Sequence, residues 1–298
     1  MLAQQGGTAD PGNARADDQE IEFRFHARES GRVGATLQHF SLSVACCWTL
    51  GRVLCDARRM STGKAKRRQA VVAGAASGIG RALVRHLAKR GAEVVGADID
   101  GPGAERVAAE INANGGRAAA RACDVSSLSQ VEALARFAED YFGTHANYVV
   151  NNAGIGVGGS AIGELSIADW KHTLDVNLWG VIHGCHAFVP GLRRLGTGSL
   201  INIASSASFV SGPRMAAYNV SKAGVMSLSE TLAVELSDSR VAVSVVCPTF
   251  VKTAIGDNPG IRADARRALE RGMQLTGRSA ERVVDHILRA HDAGECVI

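Results

Sequence analysis

From residue 69 onward, short apolar runs alternate with longer segments in which apolar residues recur about every 3.6 positions. The short runs predict buried strands, and the longer segments predict amphipathic helices. The predicted strands are 70–73, 93–98, 118–125, 148–151, 198–204 and 241–247. The predicted helices are 80–90, 104–113, 127–142, 166–190, 216–236 and 280–290. This alternation predicts an α/β fold, a single doubly wound, Rossmann-type parallel sheet with helices on both faces.

Residues 1–67 show neither period and differ from the rest of the chain. We interpret them as a disordered or non-native extension before a Rossmann-type domain at 68–298. A sharper hypothesis is that translation begins at Met60, directly before the first strand. The most apolar piece, 41–55, is too short and too interrupted by charge to span a bilayer.

Two stretches near the carboxyl end are less patterned. Residues 254–276 have no strong period and contain several charges, so we expect a mobile segment there. Residues 295–298 have the length of a short strand, but their pattern does not show what they pair with.

The net charge of +4 does not indicate a basic binding surface. Residues 1–68 hold 11 of the 33 Lys and Arg and 7 of the 29 Asp and Glu, so residues 69–298 carry 22 of each. A neutral main body gives no reason to expect nucleic acid or an anionic membrane as a partner.

The cysteines are odd in number, lack Cys-x-x-Cys spacing and mostly fall in apolar runs. Such residues behave as small core side chains in a reducing setting, so we expect a cytoplasmic protein without a disulfide framework or structural zinc. The seven are Cys46, Cys47, Cys55, Cys123, Cys185, Cys247 and Cys296.

The segment Tyr218–Lys222 contains the most informative chemistry. A phenol and an amine four residues apart on a helix share one face. An adjacent ammonium favours the phenolate, which makes the pair a candidate general acid/base. Ser205 follows a predicted buried strand, where its hydroxyl can face a ligand; Ser206 and Ser208 are weaker rivals.

Three further patterns accompany this pair. Gly74, Gly78 and Gly80 lie in a turn between the first predicted strand and helix, and Asn-Asn-Ala-Gly follows the fourth strand at 151–154. With Asn177, these motifs resemble the short-chain dehydrogenase/reductase family in type, order and spacing. The resemblance covers about residues 69–292 and implies an NAD(P)-dependent oxidoreductase acting on CH–OH groups.

The resemblance implies a catalytic tetrad of Asn177, Ser205, Tyr218 and Lys222. Lys222 would bind the nicotinamide ribose and stabilise the phenolate of Tyr218. Ser205 would donate to the reacting oxygen. Asn177 would interrupt its helix and hold a water that links Lys222 to solvent.

The glycine turn and the ends of the strands are expected to bind the cofactor, because glycines allow close approach to a pyrophosphate. Asn151 is expected to join strands instead. The expected cofactor residues are Gly74, Ser77, Gly78, Ile79, Gly80, Asp98, Asp124, Val125, Asn152, Ala153, Gly154, Tyr218, Lys222, Val251 and Thr253.

The identity of the cofactor depends mainly on Asp98. A carboxylate at the end of the second strand can accept from both adenosine ribose hydroxyls and would repel a 2′-phosphate, and no cation stands at Ser77 or Ile99. NAD is therefore preferred over NADP. Two positions depart from the family pattern: Ala73 replaces a usual Thr, and Thr249 replaces a usual Gly.

The leading hypothesis is hydride transfer between NAD(H) and a small secondary alcohol or ketone, with no metal required. Alternatives are an NADPH-dependent carbonyl or 3-oxoacyl reductase and, from another class, a non-catalytic nucleotide-binding scaffold. His183 and His186 could suit a metal, but a packed or solvated helix face explains them better. The family implies a homodimer or homotetramer.

Overall fold

The computed structural model of the chain describes residues 68–253, 255 and 260–298. The expectations for residues 1–67, including the Met60 start and the apolar piece at 41–55, lie outside the described residues. No helix in the described part is both long and apolar enough to cross a lipid bilayer.

The main sheet contains six parallel strands in the order β3-β2-β1-β4-β5-β6. This is a doubly wound order, in which the chain reverses its direction of travel across the sheet between β1 and β4. The strands are β1 (Gln69–Ala73), β2 (Glu93–Asp98), β3 (Arg117–Ala122), β4 (Tyr148–Asn151), β5 (Thr197–Ile203) and β6 (Arg240–Val246). The predicted fold class is confirmed.

Helices cover both faces of the sheet. Ser166 caps α4 by accepting from the backbone N–H of Asp169. The helices are α1 (Gly78–Lys89), α2 (Gly101–Ala113), α3 (Leu128–Phe142), α4 (Ile167–Leu174), α5 (Gly180–Leu195), α6 (Ala216–Glu235), α7 (Ala263–Thr276) and α8 (Ala280–Asp292). A short parallel pair, β7 (Val251–Lys252) and β8 (Arg278–Ser279), precedes α8.

Alternate strand residues supply two hydrophobic cores. Val72 and Val150 face α1, α2 and α8, whereas Val71 and Val149 face α3, α5 and α6. Each fully buried Val or Leu contributes about 1.5–3 kcal/mol relative to exposure. The near-continuous burial of the strands explains why they appear in the sequence as short uninterrupted apolar runs.

One prediction about helix extent is wrong. Pro190 was expected to end its helix, but α5 continues to Leu195 and ends at Gly196, whose φ is +64°. Pro190 lies on the exposed face, where water can satisfy the carbonyl that loses its helical donor. In the segment expected to be mobile, residues 263–276 form α7, a helix with no buried residue; residues 254 and 256–259 lie outside the described part.

The carboxyl-terminal residues extend the sheet beside β6. Val297 pairs in parallel with Val245, and the backbone N–H of Cys247 donates to the carbonyl of Ile298 at 2.6 Å. The carboxyl-terminal residues therefore pair with the end of β6, the strand that leads into residues 248–253.

Candidate active site

The turn after β1 is shaped for close contact. Gly74 and Gly78 have φ of +74° and +52°, which glycine adopts without strain. A Cβ on Gly74 would lie 2.9 Å from the Cα of Ala153, and one on Gly80 would overlap the carbonyl oxygen of Gly74. Gly74 and Gly80 are therefore required by packing between the turn, α1 and the loop after β4, whereas Gly78 is required by its positive φ.

The turn also presents unsatisfied donors. The backbone N–H groups of Ser77, Gly78, Ile79 and Gly80 donate to no other described residue, as expected for the first turn of a helix. Ser77 is exposed, while the Ile79 side chain packs against the core. Open donors at a helix N-terminus beside a glycine cradle suit a phosphate, so this edge fits the pyrophosphate of a dinucleotide.

Asp98 lies at the carboxyl end of β2, next to the glycine turn. One carboxylate oxygen accepts from the N–H of Ala76 at 2.8 Å, and the other accepts from the N–H of Asp100 at 3.0 Å. Each oxygen retains a further lone pair. Asp98 therefore stabilises the turn and can still accept from a ligand hydroxyl.

Asp124 and Val125 follow β3, the edge strand that pairs with β2. An Asp124 oxygen accepts from the N–H and the hydroxyl of Ser126, at 2.9 and 2.7 Å. The carbonyl of Val125 is 2.9 Å from Nδ1 of His183 on α5. Among the described residues no three His, Cys, Asp or Glu side chains form a cluster that could hold a metal, and His183 is engaged with this backbone.

The loop after β4 joins the two halves of the site. Asn152 donates to the carbonyls of Ala73 and Gly74, at 3.0 and 3.1 Å, whereas Asn151 donates to Asn202 and joins β4 to β5. Gly154 lies beside the catalytic candidates. A Cβ there would be 3.1 Å from Oδ1 of Asn177 and 3.3 Å from Nζ of Lys222.

Asn177 is fully buried in a π-helical turn, Asp175–Trp179, between α4 and α5. Its side chain accepts from the N–H of Ile155 at 2.7 Å and donates to the carbonyl of Ile155 at 2.9 Å. It also donates to the Ser221 hydroxyl at 3.3 Å. The expected local interruption of the helix is present, and the protein uses both hydrogens of the side-chain amide and one acceptor position of Oδ1.

Tyr218, Lys222 and Ser205 converge where α6 crosses the end of β5. Nζ of Lys222 lies 5.8 Å from the centroid of the Tyr218 ring and donates to the carbonyl of Ile203 at 3.1 Å. The side chain of Ser205 faces the Tyr218 hydroxyl closely enough to favour its ionised form. Ser205 itself also accepts from the N–H of Ala207 at 3.2 Å.

The electrostatics differ from the expectation that the lysine charge lowers the pKa of the tyrosine. Burial raises the pKa of Tyr218 above its ordinary value, and the contact with Ser205 only partly opposes this. Burial also lowers the pKa of Lys222 to about 8. Lys222 is directed at a backbone carbonyl, so its charge does not dominate the environment of the phenol.

Val251 and Thr253 close the site from the β6 side. Val251 is buried in β7, and the methyl group of Thr253 lies 3.1 Å from the position of a Cβ on Gly78. Thr249 is exposed and does not have a positive φ, so the local backbone accommodates this departure from the family pattern.

Loops on the open side of Tyr218 interlock through glycines. Gly156 packs under Ile261, and a Cβ there would be 2.9 Å from Cδ1 of that side chain. Gly158 pairs with Ile261, and the N–H of Gly159 donates to the carbonyl of Arg214 at 2.8 Å. Arg214 has a φ of +60°, and its guanidinium lies 3.5 Å from Asp264.

Sequence reasoning did not identify three residues that support these groups. Ile155 and Ser221 hold Asn177, and Ser208 donates to the carbonyl of Lys222 at 2.9 Å. Ser221 is next to Lys222, and Ser208 is three residues after Ser205. This closeness in sequence does not show which groups their hydroxyls can reach in the folded protein.

Comparison with known proteins agrees with this geometry. Residues 68–261 match the short chain dehydrogenase family. The chain is 37% identical to a D-threitol dehydrogenase of Mycolicibacterium smegmatis over 67% of this chain and 77% of that protein. It is 34% identical to a cyclohexanol dehydrogenase of an Acinetobacter species, over 66% of this chain and 78% of that protein.

Solved structures show the same architecture. A short chain dehydrogenase/reductase from Burkholderia phymatum in complex with NAD is 34% identical, with a TM-score of 0.73 over 78% of this chain and 88% of the other. An alcohol dehydrogenase from Thermococcus sibiricus, complexed with 5-hydroxy-NADP, is 26% identical, with a TM-score of 0.65 over 74% and 89%.

Proposed function

Because the chain belongs to the short chain dehydrogenase family of oxidoreductases, which use a nicotinamide cofactor, we propose that it interconverts a secondary alcohol and a ketone with NAD(H). The observation that carries this proposal is the convergence of Tyr218, Ser205 and Lys222 beside Gly154 in the loop after β4. The nicotinamide supplies hydride transfer when it is bound.

The protein's own residues handle the proton. Tyr218 is the general acid/base, and Ser205 fixes its hydroxyl and donates to the oxygen of the substrate. Lys222, whose Nζ reaches the carbonyl of Ile203, holds the nicotinamide ribose and supplies positive charge to the crevice. Lys222 is buried and Tyr218 and Ser205 are half-buried, so water has limited access to these groups and their hydrogen bonds are strengthened.

Asn177 acts through its backbone. Its side-chain amide is committed to Ile155 and Ser221. A water that relays protons between Lys222 and solvent would therefore be bound by the main chain of the π-helical turn.

The cofactor would lie along the ends of the strands. Its pyrophosphate would accept from the open backbone donors of Ser77, Gly78, Ile79 and Gly80. The adenine would contact Asp124 and Val125, the ribose would contact Asn152, Ala153 and Gly154, and the carboxamide would contact Val251 and Thr253.

Replacing Tyr218 by Phe tests the assignment. We expect turnover of any accepted alcohol to fall by about a thousandfold or more, because the reacting proton loses its acceptor. The affinity for NADH, measured by fluorescence titration, should stay within about threefold, since the phenol is not a phosphate ligand. A variant that keeps substantial turnover would exclude Tyr218 as the base.

The choice of NAD rests on Asp98, whose carboxylate faces the glycine turn without a compensating cation at Ser77 or Ile99. We expect NADH to bind at least about tenfold more tightly than NADPH in parallel titrations, because a 2′-phosphate would meet this carboxylate. Tighter binding of NADPH would instead favour the second candidate, a carbonyl or 3-oxoacyl reductase.

A non-catalytic nucleotide-binding scaffold would need none of this convergence, and repeated turnovers on an alcohol panel would exclude it. We further propose that the protein works in the cytoplasm on small alcohols or ketones as a homodimer or homotetramer, without a membrane or nucleic-acid partner. Residues 68–298 would form the working domain, and light scattering tests the assembly.

A further inference from the structure

Ser208 lies between the two elements that carry the proposed catalytic groups. It ends the 3₁₀ turn Ser206–Ser208, which Ser205 caps, and its own N–H donates to the carbonyl of Ser205 at 2.9 Å. Its hydroxyl crosses to α6 and donates to the carbonyl of Lys222 at 2.9 Å. A carbonyl has two lone pairs, so this bond is compatible with the helix.

Lys222 is thus tied to the β5 side of the site at both ends. Its Nζ donates to the carbonyl of Ile203, and its own carbonyl accepts from Ser208. In the proposed function the ammonium must also serve the nicotinamide ribose, which weakens its hold on Ile203. The Ser208 bond uses a backbone atom and is unaffected by that demand.

We infer that Ser208 is a positioning residue, which keeps the Ser205 turn in register with the helix turn that carries Tyr218 and Lys222. This inference rests on the proposed function, since the register matters only if Ser205 and Tyr218 act together. The thiol of Cys247 lies near the Ser205 backbone and the Ser208 side chain, and both favour its ionised form. Neither residue touches the reacting atoms.

Replacing Ser208 by Ala should loosen the turn without unfolding the protein. We expect kcat to fall about tenfold, because small misplacements of reacting groups are costly, while KM for NAD stays within about twofold. In the direction of alcohol oxidation, the rising limb of the kcat/KM profile should move to higher pH, since the contact with Ser205 opposes the raised pKa of Tyr218. Ser208→Thr, which retains a hydroxyl, should restore most of the lost rate.

Ser206→Ala is the matched control. Ser206 is in the same turn, and its hydroxyl makes no hydrogen bond to another described residue, while its N–H keeps its bond to the carbonyl of Pro248. Its kinetics should match the parent chain. Equal kcat values in the two alanine variants would overturn the positioning role.

Amide hydrogen exchange gives a readout that does not need turnover. In Ser208→Ala, peptides covering residues 205–210 should exchange several-fold faster, while the unfolding midpoint and exchange in β5 stay unchanged. Unchanged exchange at 205–210 would refute the inference even if kcat fell. If the parent chain oxidises no alcohol, the proposed function fails, and faster exchange would still confirm the link from Ser208 to α6.

Discussion

At the scale of the residue, the site is governed by burial as much as by charge. Tyr218 loses solvent when α6 packs on the end of β5, which favours the neutral phenol and raises its pKa. The same burial favours neutral Lys222 and lowers its pKa to about 8. Tyr218 and Lys222 therefore each favour their uncharged forms more than the spacing of Tyr and Lys alone suggests.

This balance predicts a pH dependence with opposite signs for the two directions. Alcohol oxidation needs the phenolate, so kcat/KM should rise as pH increases from 7 toward 10. Ketone reduction needs the phenol and should be favoured at lower pH. Initial rates in both directions across pH 6–10 test this, with the unfolding midpoint followed in parallel; an oxidation rate that peaks below pH 7 would contradict it.

At the scale of the element, the sequence predicted what is decided locally. The glycine turn, the position of Asp98 and the Tyr218–Lys222 spacing follow from steric and helical rules that involve only neighbours in the chain. The partners of Asn177 and Ser208 could not be predicted. Ile155 is 22 residues from Asn177, and only the completed sheet brings their atoms together.

Two helices show the limits of pattern reading. Pro190 is tolerated inside α5 because its face is exposed to water, which the periodicity alone does not show. Helix α7 has no buried residue and is rich in charged side chains, so its sequence does not resemble that of a helix packed on a core. It is held instead by edge contacts, such as the ring of Phe250 against Gly272.

At the scale of the whole molecule, a buried histidine joins the last helix to the sheet. His291 is 1% exposed, its Nδ1 lies 2.8 Å from the hydroxyl of Ser244, and that hydroxyl donates to the carbonyl of Glu295. Its ring packs edge to face on Tyr148. Burial lowers the pKa of His291 to about 4, with Asp292 and Arg68 acting in opposite senses.

Acid should therefore destabilise the fold through this residue. Unfolded histidine titrates near 6.5. Because the pKa of His291 is lower in the folded state, its neutral form contributes fully to the free energy of unfolding above pH 6.5. This contribution, up to about 3 kcal/mol, is lost as the pH falls toward 4. Denaturant midpoints measured from pH 7 to 4.5 should fall less steeply in His291→Gln than in the parent chain.

His286→Gln on the same helix is the matched control, because His286 is exposed. Its midpoints should follow those of the parent chain at every pH. Parallel curves for His291→Gln and the parent would show that some other group is responsible for the acid sensitivity.

The glycine contacts among residues 156–159, Arg214 and residues 261–264 also bear on how new substrate preferences arise. Each of these segments packs against the other two. Random substitutions confined to one segment would therefore mostly give variants in which that segment no longer packs against the others. Exchanging all three as a cassette, taken from a single donor relative, preserves their mutual fit and leaves the sheet untouched. Selectivity in this scaffold should therefore change by block replacement more readily than by stepwise drift.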